Sequence, residues 1–246
     1  MTPNPQVPVL STSQIEELGQ FTTPTVANAL ELSGSWDRIS GVVSPRIRAL
    51  FPDLKPVVGY AATALIATRQ PAHKRLYADW KDYWKYVTSI PEPRIAVGQD
   101  IDPEPTMGSI WGEVQATIHV ALGCVGAVVD GAMRDLDEMR ALGFACFARE
   151  VSISHRHAHF VDFGSPVQVG GVIIQPGDLI HADQHGVMVI PKEVASGLPD
   201  LCRQIVAAEG RLLAVCKQRN TFTLKRLVEA YDAFMDEYPV ERPSAL

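Results

Sequence analysis

Arg134 and Asp135 are adjacent and follow a short apolar run, Val125 to Asp130, that ends at Gly131. Such a run reads as a buried strand, with Gly131 opening a turn. In α/β folds the ends of strands are where reactive groups collect. An arginine there can hold a carboxylate through two parallel hydrogen bonds. The neighbouring aspartate offers hard oxygen ligands for Mg²⁺ or Mn²⁺. Upstream, Gly108-Ser-Ile-Trp-Gly-Glu113-Val114 leads into a helix. The first-turn amides and dipole of that helix favour an anion, and Glu113 would lie in its first turn.

Each of these features also has a plainer reading. Asp135-x-x-Glu138 is a helix-start pattern, with Asp135 as the cap and Glu138 reaching back. Arg134 can be an ordinary surface residue, Glu113 a favourable charge at a helix start, and Trp111 a core residue. A second candidate is Ser154-His155-Arg-His157-Ala-His159-Phe160. On a strand, His155, His157 and His159 would share one face and could ligate a metal or move protons. The same pattern serves equally as a polar strand face or a loop. His181 and His185, flanking Asp183, read as turn residues.

Positioning elements follow from periodicity and punctuation. Met1 to Leu10 reads as a loose leader, and Ser13 with Glu16 as a capping box. Thr23-Pro24 then opens a helix, with Thr23 as N-cap, which Gly34 stops. Pro56 to Thr68 reads as a buried extended run. Ala72 to Pro93 reads as a helix and a long connection, with Tyr77, Trp80 and Trp84 on one face. A short strand from Arg94 to Val97 and a loop from Gly98 to Met107 precede a helix over Trp111 to Leu122. The strand at Val125 to Asp130, a helix over Asp135 to Leu142 and a strand over Ala145 to Arg149 alternate as parallel α/β structure does. Beyond Arg149 the texture is β-rich, with a hairpin around Gly170-Gly171 and turns at Pro176-Gly177-Asp178 and Gln184-His185-Gly186. An amphipathic helix then runs from about Lys192 to Gln218, and the tail beyond Thr221 is again helical.

Bulk composition sets outer bounds. The 246 residues suffice for a substantial core. The formal net charge of −6, with no basic stripe, argues against nucleic acid as a partner. No apolar run approaches the roughly 20 residues that span a bilayer, and the proline-rich start lacks the order of a secretory signal. Cys124, Cys146, Cys202 and Cys216 form no CxxC pair and read as buried thiols of a reducing compartment. The expected location is cytoplasmic.

Taken in order, several motifs resemble one family. They are Thr25-Val26-Ala-Asn-Ala29-Leu30, Val58-Gly59-x-Ala61-x-Thr63, Trp111-Gly112-Glu113, Gly123-x-x-Gly126, Val128-Val-Asp130-Gly131, Arg134-Asp135-x-x-Glu138 and Gly143-Phe144-x-x-Phe147-Ala148-Arg149. Gly170-Gly171-Val172, Pro176-Gly177-Asp178-Leu179, Ala182-Asp183-x-x-Gly186-Val187 and Pro191 continue the series. From about residue 22 to about 215 the chain resembles the RraA-like family, which includes 4-hydroxy-4-methyl-2-oxoglutarate aldolases and oxaloacetate decarboxylases.

The resemblance implies an α/β/β/α sandwich related to swivelling phosphohistidine domains, assembled as a homotrimer or homohexamer. It divides the chain into a leader with a short helix (1–20), an RraA-like domain (21–218) and a helical extension (219–246). It implies that Arg134 binds a pyruvate-type carboxylate, that Asp135 ligates Mg²⁺ or Mn²⁺, and that Glu113 sits near the metal's water shell. Backbone amides around Gly112 and Val114 would help hold a small 2-oxo or hydroxy acid. Glu209, from a neighbouring subunit's C-terminal helix, would complete the site. The implied chemistry is retro-aldol cleavage or decarboxylation through an enolate.

Two rivals stand beside it. One is a related metal-dependent tautomerase, dehydratase or hydrolase; the other is a non-catalytic, protein-binding regulator of the RraA type. A methyltransferase label sometimes attached to the family is not supported, because no Gly-rich strand–turn–helix for a nucleotide-like cofactor is present. The chain departs from the aldolases in the aromatic segment 76–105, and above all in the loop Gln99-Asp-Ile-Asp-Pro-Glu-Pro105. A remodelled pocket is therefore expected.

Overall fold

The computed structural model describes residues 10–34, 36, 40–72, 77–104 and 107–238. The expected leader up to Val9 and the loose end after Tyr238 lie outside them. Two helices, α1 (Thr12–Leu18) and α2 (Thr23–Leu32), precede a short strand β1 (Arg48–Ala49) and the long β2 (Val57–Ala67). Then come α3 (Trp80–Ser89), β3 (Arg94–Asp100), β4 (Ser109–Trp111), α4 (Glu113–Ala121), β5 (Cys124–Met133), α5 (Leu136–Ala141) and β6 (Ala145–Val151). The β-rich part comprises β7 (His159–Phe163), β8 (Val167–Val169), β9 (Val172–Ile174), β10 (Leu179–Asp183) and β11 (Gly186–Ile190). Helices α6 (Leu198–Lys217) and α7 (Leu224–Glu237) follow.

The strands form a mixed sheet in the order β1-β6-β5-β3-β2-β10-β11, with β4 beside β5 and β7 beside β2. Its centre, β2-β3-β5-β6, is parallel. Parallel strands covered on both faces read as continuous apolar runs rather than alternating ones. This is why β2 (VVGYAATALIA) is buried along nearly its whole length. One segment draws the two sheet edges together. Val42 bridges Met188 on β11, and six residues on Arg48 pairs with Ala148 on β6. The sheet is therefore nearly closed, barrel-like, and its edge groups are largely satisfied. Hydrophobic side chains on one face pack against the helices. Those on the other, including Val97, Val128 and Ile180, are covered by the β8–β9 hairpin through Val167, Val169 and Ile174.

The structure moves several boundaries. The capping box is built by Ser11 and Gln14 rather than Ser13 and Glu16, and Leu10, expected in the loose leader, is buried with its amide donating to the Tyr60 hydroxyl at 2.8 Å. Thr22, not Thr23, caps α2: its hydroxyl accepts the Thr25 amide at 3.3 Å, while the Thr23 hydroxyl lies 3.0 Å from His181 Nδ1 and the Thr23 amide donates to Asp183. Strand β3 runs on through Asp100, and β5 runs through Gly131 to Met133, because β4 and β6 both pair with its last residues. Trp111 accordingly ends a strand, and the helix starts at Glu113. Tyr77 lies ahead of α3, whose buried residues are Tyr83 and Val87. Cys216, expected to be buried, is exposed.

The aromatic segment forms the layer under α4. The Tyr83 ring lies 3.9 Å from Phe160 and 5.7 Å from His119, centroid to centroid. His119 Nδ1 lies 2.7 Å from the Gln115 carbonyl, so this nitrogen carries the proton, and Nε2, 3.0 Å away, accepts from the Tyr83 hydroxyl. Burial lowers the His119 pKa from 6.5 to about 4, and burial likewise lowers that of His181.

The neutral imidazole in the fold and a protonatable one in the unfolded chain fix the sign. The contribution of His119 is fully present above pH 6.5 and is lost as the pH falls toward 4. At ~1.4 kcal/mol per pH unit, acidification to pH 5 should cost about 2 kcal/mol through His119. Denaturant unfolding at pH 7 and pH 5 is expected to show a shallower pH dependence for His119→Gln than for the wild type. Equal slopes would remove His119 from the acid sensitivity.

Candidate active site

Two strand ends and two helix starts meet at one place. Strand β4 delivers Gly112 as the N-cap of α4, and β5 delivers Arg134 and Asp135 to the start of α5. The Arg134 amide donates to the Trp111 carbonyl at 3.1 Å, which ties the two connections together. Asp135 does not cap α5 with its side chain, as the helix-start pattern suggested. Its carboxylate turns to the other helix instead, where Oδ2 accepts the Glu113 amide at 3.1 Å. Arg134 Nε stands 3.5 Å from the same oxygen, and both side chains are 33% exposed. The pair is thus braced yet open to a ligand.

Two backbone features make this possible. Asp135 sits at φ 54°, ψ 52°, in the left-handed region. Most L-residues avoid that region at a cost of roughly 1–2 kcal/mol, although a short polar side chain tolerates it better. Gly112, at φ −151°, needs no special backbone freedom; it is required by proximity. A Cβ there would overlap Asp135 Oδ2 and press on Arg134 Cγ at 3.1 Å and Nε at 3.2 Å. Glu113 and Val114 point outward at the start of α4, both exposed.

The structure brings together Gly112, Glu113, Val114, Arg134 and Asp135, but not Glu209. Glu209 lies on α6, where its Oε1 accepts from Asn28 Nδ2 of α2 at 3.3 Å. The three histidines do not share a strand face. Arg156 takes φ 47° between His155 and His157, and only His159 lies on β7. His155 is exposed with Nδ1 2.7 Å from the Arg156 carbonyl, while His159 is buried against the His157 carbonyl at 2.7 Å. Among the described residues no three His, Cys, Asp or Glu side chains gather as a metal-binding group.

His181, expected in a turn, is a buried strand residue between Thr23 Oγ1 at 3.0 Å and the Leu18 carbonyl at 3.1 Å. His185 does lie at the turn and contacts Asp183 at 3.1 Å. Burial would raise the Asp183 pKa, but hydrogen bonds from Thr23 and His185 outweigh it and hold the carboxylate low.

Two supports of the site carry no sequence signal of their own. Asp102, in the departing loop, accepts from the Thr68 and Arg69 amides at 2.7 Å each. It pins that loop to the end of β2 just before the chain enters β4. The Ser109 amide donates to the Ser154 carbonyl, and the Ser152 amide to the Met133 carbonyl, both at 3.0 Å. The histidine-bearing loop therefore flanks the strands that carry the site without supplying a ligand set.

A protein of Halalkalibacterium halodurans that carries the provisional name 4-hydroxy-4-methyl-2-oxoglutarate aldolase is 41% identical over 85 residues. That match covers 34% of this chain and 40% of that protein, so it spans less than half of the relative's length. The fold is shared with the crystal structure of an uncharacterized protein from Pseudomonas syringae pv. tomato. Its TM-score is 0.72 at 23% identity, covering 94% of this chain and all of that one. Streptomyces coelicolor RraAS2, described as an unusual member of the RNase ES inhibitor RraA protein family, superposes with a TM-score of 0.60 at 23% identity. That match covers 78% of this chain and 92% of RraAS2. Among the described residues no helix is long and apolar enough to cross a membrane. The family model described as RraA-like, Aldolase/RraA, matches residues 23–189, most of the chain, and the protein belongs to that family.

Proposed function

We propose that this protein is a divalent-metal-dependent lyase that cleaves or decarboxylates a small 2-oxo acid through a pyruvate-type enolate. The observation that carries the reading is the close approach of Gly112 to Arg134 and Asp135. A glycine whose backbone angles suit any residue is needed there only because a carboxylate and a guanidinium occupy the space a side chain would fill.

The residues fit the expected cation. Mg²⁺ and Mn²⁺ are commonly held by one or two carboxylates, with substrate and water oxygens completing the shell. Asp135 is one such carboxylate, braced and partly exposed. Asp135 would hold the ion directly, with Glu113, and Glu209 of a neighbouring copy, directed at its waters. When bound, the ion supplies a Lewis acid for the negative charge that develops on the 2-oxo oxygen as the adjacent C–C bond breaks.

The chain's own groups do the rest. Arg134 receives the substrate carboxylate on its fork of N–H donors. The Glu113 amide is committed to Asp135, which fixes the carboxylate's orientation. The Gly112 and Val114 amides, on either side, are assigned to the oxo acid at the positive end of α4. Holding substrate and aspartate on two strand ends of one sheet keeps them in register without moving parts.

The wider expectations accompany this reading. An α/β/β/α sandwich akin to swivelling phosphohistidine domains belongs to this reading, with the nearly closed sheet supplying both β layers and the helices lying outside it. Residues 21–218 form the RraA-like domain, preceded by the leader with α1 and followed by the extension that carries α7. The assembly is a cytoplasmic homotrimer or homohexamer with the site shared between copies.

The test is pyruvate release from oxaloacetate with Mg²⁺ or Mn²⁺ and with excess chelator. Chelation is expected to abolish turnover, and re-addition of the ion to restore it. Absence of turnover in folded, metal-supplied protein would favour a tautomerase, dehydratase or hydrolase on the same site, to be sought with other oxo and hydroxy acids. The protein-binding regulator would show neither metal dependence nor turnover. A binding role does not require Asp135 to be held this way, so the geometry favours the enzyme.

A further inference from the structure

The motif that closes at Arg149 takes no part in the site above, yet it lies in a cleft of its own. Arg149, near the end of β6, pairs with Asp130 of β5, and the other oxygen of Asp130 accepts the Gly170 amide at 2.9 Å. On the opposite flank of β6 runs the segment that closes the sheet. There Arg46 and Arg48 stand exposed on either side of the buried Ile47. Pro45, Arg46, Arg48, Arg149 and Glu150 line a cleft of about 410 Å³.

Arg46 and Arg48 take part in none of the ion pairs among the described residues. Two guanidinium groups, those of Arg46 and Arg48, therefore stand at one cleft of a chain whose net charge is −6. Arg149 lines the cleft, but its guanidinium is turned to Asp130 on the hairpin-covered face, so the two uncommitted arginines are Arg46 and Arg48.

We infer that this cleft is a binding site for a small, multiply charged oxyanion. Guanidinium forks match carboxylate and phosphate oxygens equally, two N–H groups to two oxygens. A single charge would be offset by the Glu150 carboxylate at the cleft wall. An anion of two or more charges engages Arg46 and Arg48 together and still outweighs Glu150. A polycarboxylate and a pyrophosphate-type ligand both satisfy this chemistry.

The cleft shares no lining residue with the lyase candidate. Arg48 lies on β1, and β6 runs between it and β5, whose end carries Arg134 and Asp135. The inference therefore does not depend on the proposed reaction.

Calorimetric titration of the full chain at low ionic strength, with citrate and separately with pyrophosphate, tests it. Saturable binding of at least one anion is expected, weakened about tenfold or more in R46Q/R48Q and unchanged in R134Q. The R46Q/R48Q variant should also show a shallower loss of affinity with added salt. Tighter binding of citrate identifies a polycarboxylate as the ligand class, and tighter binding of pyrophosphate identifies a phosphorylated one. Both substituted side chains are exposed, so an unchanged melting temperature is expected and verifies the comparison. Single R46Q and R48Q variants, each weakening binding in part, make the same case should the double variant fold poorly. The inference falls if neither anion binds, if R46Q/R48Q binds as the wild type does, or if R134Q removes the binding.

Discussion

Asp135→Ala is expected to lower metal-dependent pyruvate release from oxaloacetate by about a thousandfold or more. Loss of one well-placed electrostatic partner at a reacting centre costs roughly 10²–10³ in rate, and here the same carboxylate has two duties. It would hold the cation, and its Oδ2 accepts the Glu113 amide beside Arg134 Nε. Alanine also tolerates φ 54° less well than aspartate does. Asp135→Asn is therefore the sharper companion, because asparagine suits the left-handed region and keeps a hydrogen-bonding side chain while losing the charge. If the reading is correct, both variants lose turnover, and Asp135→Asn melts within a few degrees of the wild type. Turnover that persists in Asp135→Asn and in the presence of chelator would mean that the chemistry resides elsewhere.

Gly112→Ala is the second large effect, expected to cut turnover about a hundredfold with little change in stability. The new methyl would overlap Asp135 Oδ2 and crowd Arg134. Both obstacles are the ends or stems of flexible, partly exposed side chains, so the fold can yield by swinging them aside. Their displacement by about 1 Å is what a positioned site does not tolerate, with losses on the order of 10²-fold. Gly197→Ala is the matched control, since its Cβ would meet nothing within 4 Å. Steady-state kinetics alongside thermal melts separate the two variants. A Gly112→Ala enzyme as active as the wild type would show that the Arg134–Asp135 arrangement is not the reacting centre.

The two variants also separate roles that a single substitution would merge. Asp135→Asn removes a charge and leaves the geometry, whereas Gly112→Ala leaves the charges and moves them. If both act through the same site, a Gly112→Ala/Asp135→Asn double variant should be little worse than Asp135→Asn alone, as expected for groups that work as a unit.

Much of the architecture was legible in the sequence because periodicity and punctuation are local. The apolar runs at β2, β5 and β6, the glycine stops after α2 and α5, and the hairpin at Gly170-Gly171 each follow from a few consecutive residues. The ordered motifs likewise identified the family, which the match over residues 23–189 shows. What the sequence could not disclose depends on residues far apart in the chain. Asp135 is 22 residues from the amide it accepts, so a helix-capping pattern and a braced ligand look the same in one dimension.

The three histidines alternate in sequence, yet Arg156 in the left-handed region and the pairing of only His159 into β7 break the common face. His181 looks like a turn residue until α2 covers it through Thr23. Arg46, Arg48 and Arg149 are unrelated surface charges until the segment before β1 reaches both edges of the sheet and sets them around one cleft. Local composition thus determined which residues are buried or extended. The long-range pairing of strands decided which side chains meet, because chemistry depends on distances in space that a one-dimensional pattern does not encode.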